Sequence, residues 1–170
     1  GLLGEVEKKL YAIIPEYSWP AGVLVKGGKL SKGENYLGLP YFILDYPRRF
    51  DKEHVFAFRT MLWWGNFFSA TLHLAGKYLD MSIDALDGNL ERLSASDAYI
   101  CVNDTPWEYH YQPDNYQKLH ELNMDQLRTT LHSRPFVKLS QRWELERYLE
   151  LPVLVPAAFQ ELVSWLLKPV

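Results

Sequence analysis

The sequence predicts an α+β fold: a single domain with a mainly antiparallel sheet, an N-terminal helix and C-terminal helices packed on it. Three observations predict it. The β-rich runs concentrate in the first half of the chain, and the helical periodicities fall at its start and in its second half; that segregation belongs to α+β folds rather than to alternating βαβ units. Two β-rich runs flank Gly65-Asn66, a pair suited to a tight hairpin. Of the 170 residues, 48% are hydrophobic and 23% charged, a globular balance. A chain of this length buries roughly 70% of its unfolded surface without a disulfide or a metal, so one domain over residues 1–170 is expected.

Val6, Leu10, Ile13 and Ile14 fall close to helical spacing among charged residues, and Pro15 ends the pattern. Residues 21–25 read as a short strand. Residues 26–38, with four glycines and three lysines, read as an exposed loop. Residues 39–46 are the second strand, with Pro40 near the start, where a missing donor is tolerated. Residues 45–51 form a polar connection.

Strands at 55–63 and 67–75 follow. With Gly65-Asn66 as a two-residue loop, Trp64 faces Phe67, Phe58 lies opposite His73, and Thr60 opposite Thr71. Alternation then sets Arg59 on one face with Met61 and Leu72. It sets Thr60, Ser69, Thr71 and His73 on the other, among Phe56, Phe58, Trp64 and Phe67. Both faces are largely apolar, which places the hairpin mid-sheet and covered on each side.

Beyond it, residues 84–93 read as a short helix weakened by Gly88, and 98–103 as a strand. Residues 105–115 are mostly loop, with an extended stretch at 107–111. A leucine stripe predicts a helix over 116–132, with Asn123 as an interruption. Residues 136–139 are the last strand, Ser140 caps a helix over 141–149, and Pro156 opens a final helix to Leu167.

The net charge of −3 argues against nucleic acid as a partner. The charge is uneven, because residues 61–125 hold three basic and ten acidic side chains. No apolar run reaches the roughly 18 residues of a membrane span, so no membrane partner is expected. The start lacks a basic region followed by an apolar one, and the single cysteine, Cys101, lies in an apolar run as an inert buried thiol. A cytoplasmic location is expected. Because the chain begins at Gly1 rather than Met, a natural start further upstream is also expected.

No phosphate-binding loop, dinucleotide fingerprint, zincin helix or nucleophile elbow is present, and no cofactor is expected. His110, Asp114, His120 and Glu121 match no metal-ligand spacing, so no metal is expected either.

Chemistry is therefore sought among scattered residues. Thr60, Ser69, Thr71, His73 and Trp64 combine hydroxyls and an imidazole with aromatic walls, the composition of a small-molecule pocket. An ordinary threonine cross-strand pair and a satisfied histidine give the same pattern. Arg59, alone among apolar neighbours, needs a partner: Asp45, Asp51, Glu53 or a ligand anion. Arg48 and Arg49, beside Tyr46 and Phe50, can clamp an anion or lie on the surface. Trp107, Tyr109 and Tyr111 share one side of an extended segment, as a binding platform or as core.

Aromatic residues make up 15% of the chain. Together these features imply a small ligand-binding or accessory domain for an anionic or aromatic ligand. One alternative is an enzyme with His73 or His54 as base and arginines holding an anionic substrate. Another is a protein-interaction module, such as a homodimer.

Overall fold

The computed structural model describes residues 1–170. Its strands are β1 (Lys29–Tyr36), β2 (Leu39–Phe50), β3 (Val55–Trp63), β4 (Phe67–Ala75), β5 (Tyr99–Cys101), β6 (Tyr116–Lys118) and β7 (Phe136–Glu144). Its helices are α1 (Leu2–Ile13), α2 (Lys77–Gly88), α3 (Leu90–Ser94), α4 (Met124–His132) and α5 (Leu151–Ser164). The strands form one open antiparallel sheet in the order β1-β2-β3-β4-β7-β5-β6. The first four make a meander. The chain then leaves through α2 and α3, forms β5 and β6 at the far edge, and closes the gap with β7.

Alternation along the central strands divides the sheet into two unlike faces. Phe56, Phe58, Leu72 and Leu74 point to one side, where all five helices bury their apolar residues in a common core. Arg59, Thr71, His73 and Lys138 point to the other. No helix covers that second face. It is roofed by the irregular segment 102–115, whose rings pack on it in two small clusters.

Several elements differ from the sequence reading. Residues 21–25 are not a strand; only Leu24 forms a bridge, to Arg48. The glycine- and lysine-rich stretch read as a loop contains the edge strand β1, with mostly exposed side chains, so burial could not announce it. β2 runs on to Phe50 through a register irregularity between Asp45 and Arg48 around a cis Tyr46–Pro47 bond. Residues 107–111 belong to the roof and form no strand.

The helix expected over 116–132 is split. β6 and a short turn precede α4, and Asn123 does not interrupt a helix but caps one. Its side chain accepts from the Gln126 amide at 2.8 Å, while the Gln126 side chain accepts from the Asn123 amide at 2.9 Å. Ser140 caps nothing: it is buried in β7, which continues to Glu144. Pro152 takes the early helical position assigned to Pro156, which leaves Pro156 inside α5.

The most consequential difference is in the central hairpin. The two strands lie where expected, but Trp63 faces Phe67, so Trp64-Gly65-Asn66 form a three-residue connection, with Gly65 at φ +75°. Thr60 therefore opposes Ala70, and Arg59 opposes Thr71. A slip of one residue moves every side chain of one strand to the opposite face of its partner. Arg59 thereby joins Ser69, Thr71 and His73, while Thr60 turns away from them.

Candidate functional site

Cross-strand register lays the floor of the site out as two rows. One row runs Asp45, Arg59, Thr71, Ser140, Tyr99 across β2, β3, β4, β7 and β5. The adjacent row runs Arg48, Ala57, His73, Lys138. Sequence-distant polar residues become neighbours because antiparallel pairing sets opposed Cα atoms about 4.5–5.5 Å apart.

Arg59 and Asp45 form a bidentate pair, with Nε donating to Oδ1 at 2.7 Å and Nη2 to Oδ2 at 2.8 Å. Burial opposes the guanidinium charge, but the Asp45 hydrogen bonds and charge outweigh it and raise the Arg59 pKa. Nη1 donates to the Tyr109 hydroxyl at 3.2 Å. Asp45 was one of the partners expected for Arg59.

Lys138, 3% exposed, has no carboxylate partner. Its Nζ donates to the carbonyls of Pro106 at 2.6 Å and Glu108 at 3.2 Å, and it stands 5.4 Å from the ring centres of both Tyr109 and Tyr116. Burial above all, with Arg59 nearby, lowers its pKa to about 8. His73 is 6% exposed, and its Nε2 is buried without a hydrogen-bond partner. Burial first, then the charges of Lys138 and Arg59, push its pKa down to about 3, so the ring is neutral at physiological pH.

The roof is tied to this floor by its tyrosines. Tyr111 shares a hydrogen bond with Ser140, which also contacts the Thr71 hydroxyl at 2.8 Å. Burial pushes the Tyr111 pKa up to about 12. The Tyr111 ring stacks on Tyr116, centroids 4.4 Å apart. Trp107 meets His73 edge-on at 5.5 Å. From β1, the Tyr36 hydroxyl accepts from the Tyr109 and His110 amides at 2.8 and 3.3 Å and donates to the Glu108 carboxylate at 2.7 Å.

Between floor and roof lies a largely enclosed cavity. Arg59, Ser69, Thr71, His73 and Lys138 line it with Phe50, Trp107, Tyr109 and Tyr116. The centre of a water-sized sphere can range over about 20 Å³ inside it, room for about one water. A larger outer cleft of about 540 Å³ adjoins it, sharing His73, Pro106 and Trp107 and bounded by His54, Arg134 and Phe136.

Of the residues singled out in the sequence, Ser69, Thr71, His73 and Arg59 converge on the cavity. Thr60 does not: it faces the helices, fully buried, with its hydroxyl unpaired. Arg48 stands in the second row, but outside the cavity lining. Arg49 pairs with Asp51 at 3.2 Å near the surface. Trp64 is 58% exposed at the hairpin tip. His54 accepts the Lys77 amide at the start of α2 at 2.9 Å.

Trp107, Tyr109 and Tyr111 contribute to the roof. Lys138 and Tyr116 were missed. Lys138 carries the signal that marked Arg59, a lone charge among Phe136, Val137 and Leu139. No helix is long and apolar enough to cross a membrane. Compared with known proteins, the chain matches no family model, no curated protein and no solved structure.

Proposed function

We propose that this chain is a small-molecule-binding domain whose ligand sits between the sheet and the 102–115 roof, with its polar end on His73. One observation carries the reading: a buried imidazole nitrogen with no partner, beside a cavity walled by aromatic rings. An unsatisfied buried polar group costs about 1–3 kcal/mol and calls for a reason. Of the other buried side-chain atoms without a partner, the Thr60 hydroxyl and Arg48 Nε line neither space, and those of Arg134 belong to the outer cleft, so His73 alone places such an atom on the inner cavity.

Binding is favoured over acid–base catalysis. A base works best with a pKa near the operating pH, and the His73 ring, held near 3, is a weak one. The other proposed base, His54, accepts a backbone amide outside the inner cavity.

The test is a fragment screen followed by amide and side-chain NMR. Binders should shift His73, Trp107 and Tyr109 together. His73→Phe, which keeps a ring and removes the unpaired nitrogen, should abolish those shifts and leave the protein at least as stable. If no fragment moves these signals, the cavity holds only a water and the proposal fails.

A further inference from the structure

Resting on that binding role, we infer that the ligand is a small organic anion whose carboxylate sits between Lys138 and His73. Two cations line the cavity, Arg59 and Lys138, and no carboxylate does. Asp45 reaches the site only through Arg59, which occupies both of its oxygens. Glu108 turns its carboxylate to the Tyr36 hydroxyl, with the His110 ring 3.8 Å away. The hydroxyls and phenols that remain are neutral. Lys138 thus has no carboxylate in contact, and the Glu108 charge acts on it only at a distance.

A buried ion is retained at low cost only when paired and hydrogen-bonded. Two backbone carbonyls satisfy two of the three ammonium donors. The third donor and the charge are left for a ligand. His73 opposes Lys138 in the register, on the same face, and its unpaired Nε2 supplies a second contact. In a neutral imidazole that nitrogen carries the N–H in one of two tautomers, and an anion selects that tautomer.

The inner cavity, with room for about one water, takes one carboxylate oxygen, so the rest of the ligand lies past Trp107 in the outer cleft. That cleft is mixed, with Glu53, Asp80, Asp104 and Arg134 on its lining beside Trp107 and Phe136; the two rings next to His73 suit a flat apolar body. Aryl carboxylates are the class that fits.

The experiment compares benzoate with its neutral isostere benzamide on the full chain, by calorimetry and by NMR at His73. Benzoate should bind at least about tenfold more tightly, because charge-assisted hydrogen bonds are roughly twice as strong as neutral ones. Lys138→Met and Lys138→Gln should each erase that preference. The glutamine keeps donors for the Pro106 and Glu108 carbonyls, so it carries the test if the methionine variant does not fold. Equal binding of the two probes at His73 overturns the anion and leaves the binding role standing. So does undiminished benzoate affinity in a folded variant. If neither probe moves His73 and the fragment screen is also empty, the binding role itself falls.

Discussion

Arg59 lies in mid-strand between Phe58 and Thr60, and its guanidinium is held by an aspartate from the neighbouring strand. Breaking a buried pair by removing one member costs about 3–5 kcal/mol, because the other charge is left unpaired. Arg59→Ala should therefore lower stability in urea by about 3 kcal/mol, and Asp45→Asn/Arg59→Met together should restore most of it. If the double variant is no better than the single one, the loss comes from packing against Phe50 and Tyr109 rather than from charge. That Arg59 needed a partner was legible in the sequence, since it is the one charge in the largely apolar run from Val55 to Trp64. Lys138 announces itself in the same way, inside the strand read over 136–139, but no local pattern says which strand that one pairs with. Only the pairing of β4 with β7 joins it to His73.

At the level of elements, backbone geometry decides what each junction tolerates. Gly76 joins β4 to α2 at φ +59° and ψ −134°, a conformation that L side chains rarely adopt. A Cβ there would also run into the Glu53 carbonyl and the His54 ring. Gly76→Ala should cost about 2 kcal/mol or more, seen as a lowered urea midpoint, and should free the His54 ring from the Lys77 amide. No loss of stability would mean that the junction relaxes freely.

The roof is a second junction. Tyr36→Phe deletes the oxygen that accepts two roof amides. Hydrogen exchange at Tyr109 and His110 should accelerate about tenfold, with amides in the centre of β4 unchanged. Exchange that rises uniformly would show that the roof opens only with the whole fold. Hairpin position was legible from composition and the glycine pair, but its register was not. Two- and three-residue connections both suit Gly65-Asn66, and the choice depends on which side chains the helices and the roof accept.

Across the whole molecule, the two buried bases tie stability to pH. The His73 pKa is lowered to about 3 in the fold from an unfolded value near 6.5, so below pH 6.5 the unfolded chain binds a proton that the fold refuses. The Lys138 pKa is lowered to about 8, so above pH 8 the fold releases a proton that the unfolded chain keeps. For each of these two groups the unfolded state holds more protons in its window, so its contribution to stability rises with pH, by up to about 1.4 kcal/mol per unit. In the alkaline window Cys101 and the buried tyrosines act in the opposite sense, because burial raises their pKa values and the fold keeps protons that the unfolded chain releases. Urea unfolding should show stability climbing between pH 4 and 6, and His73→Phe should flatten that climb. Between pH 8 and 10 the Lys138 gain offsets the loss from Cys101 and the tyrosines, so Lys138→Met should make stability fall more steeply with pH there than it does in the parent chain. An unchanged profile in His73→Phe would show that carboxylates govern the acid limb.

By itself the sequence determined the fold class, the central hairpin and the need of Arg59 for a counter-charge. Those follow from local composition, from turn chemistry and from the cost of burying an unpaired ion. The tertiary structure alone decided which face each polar residue occupies. Side chains in a strand alternate with a period of two, so a single residue of register separates Thr60 from His73 and brings Arg59 beside it. It also decided that an irregular tyrosine-bearing segment, rather than a helix, covers that face. The hydrogen bonds that hold the segment join residues some thirty to seventy positions apart, a range that no local pattern encodes.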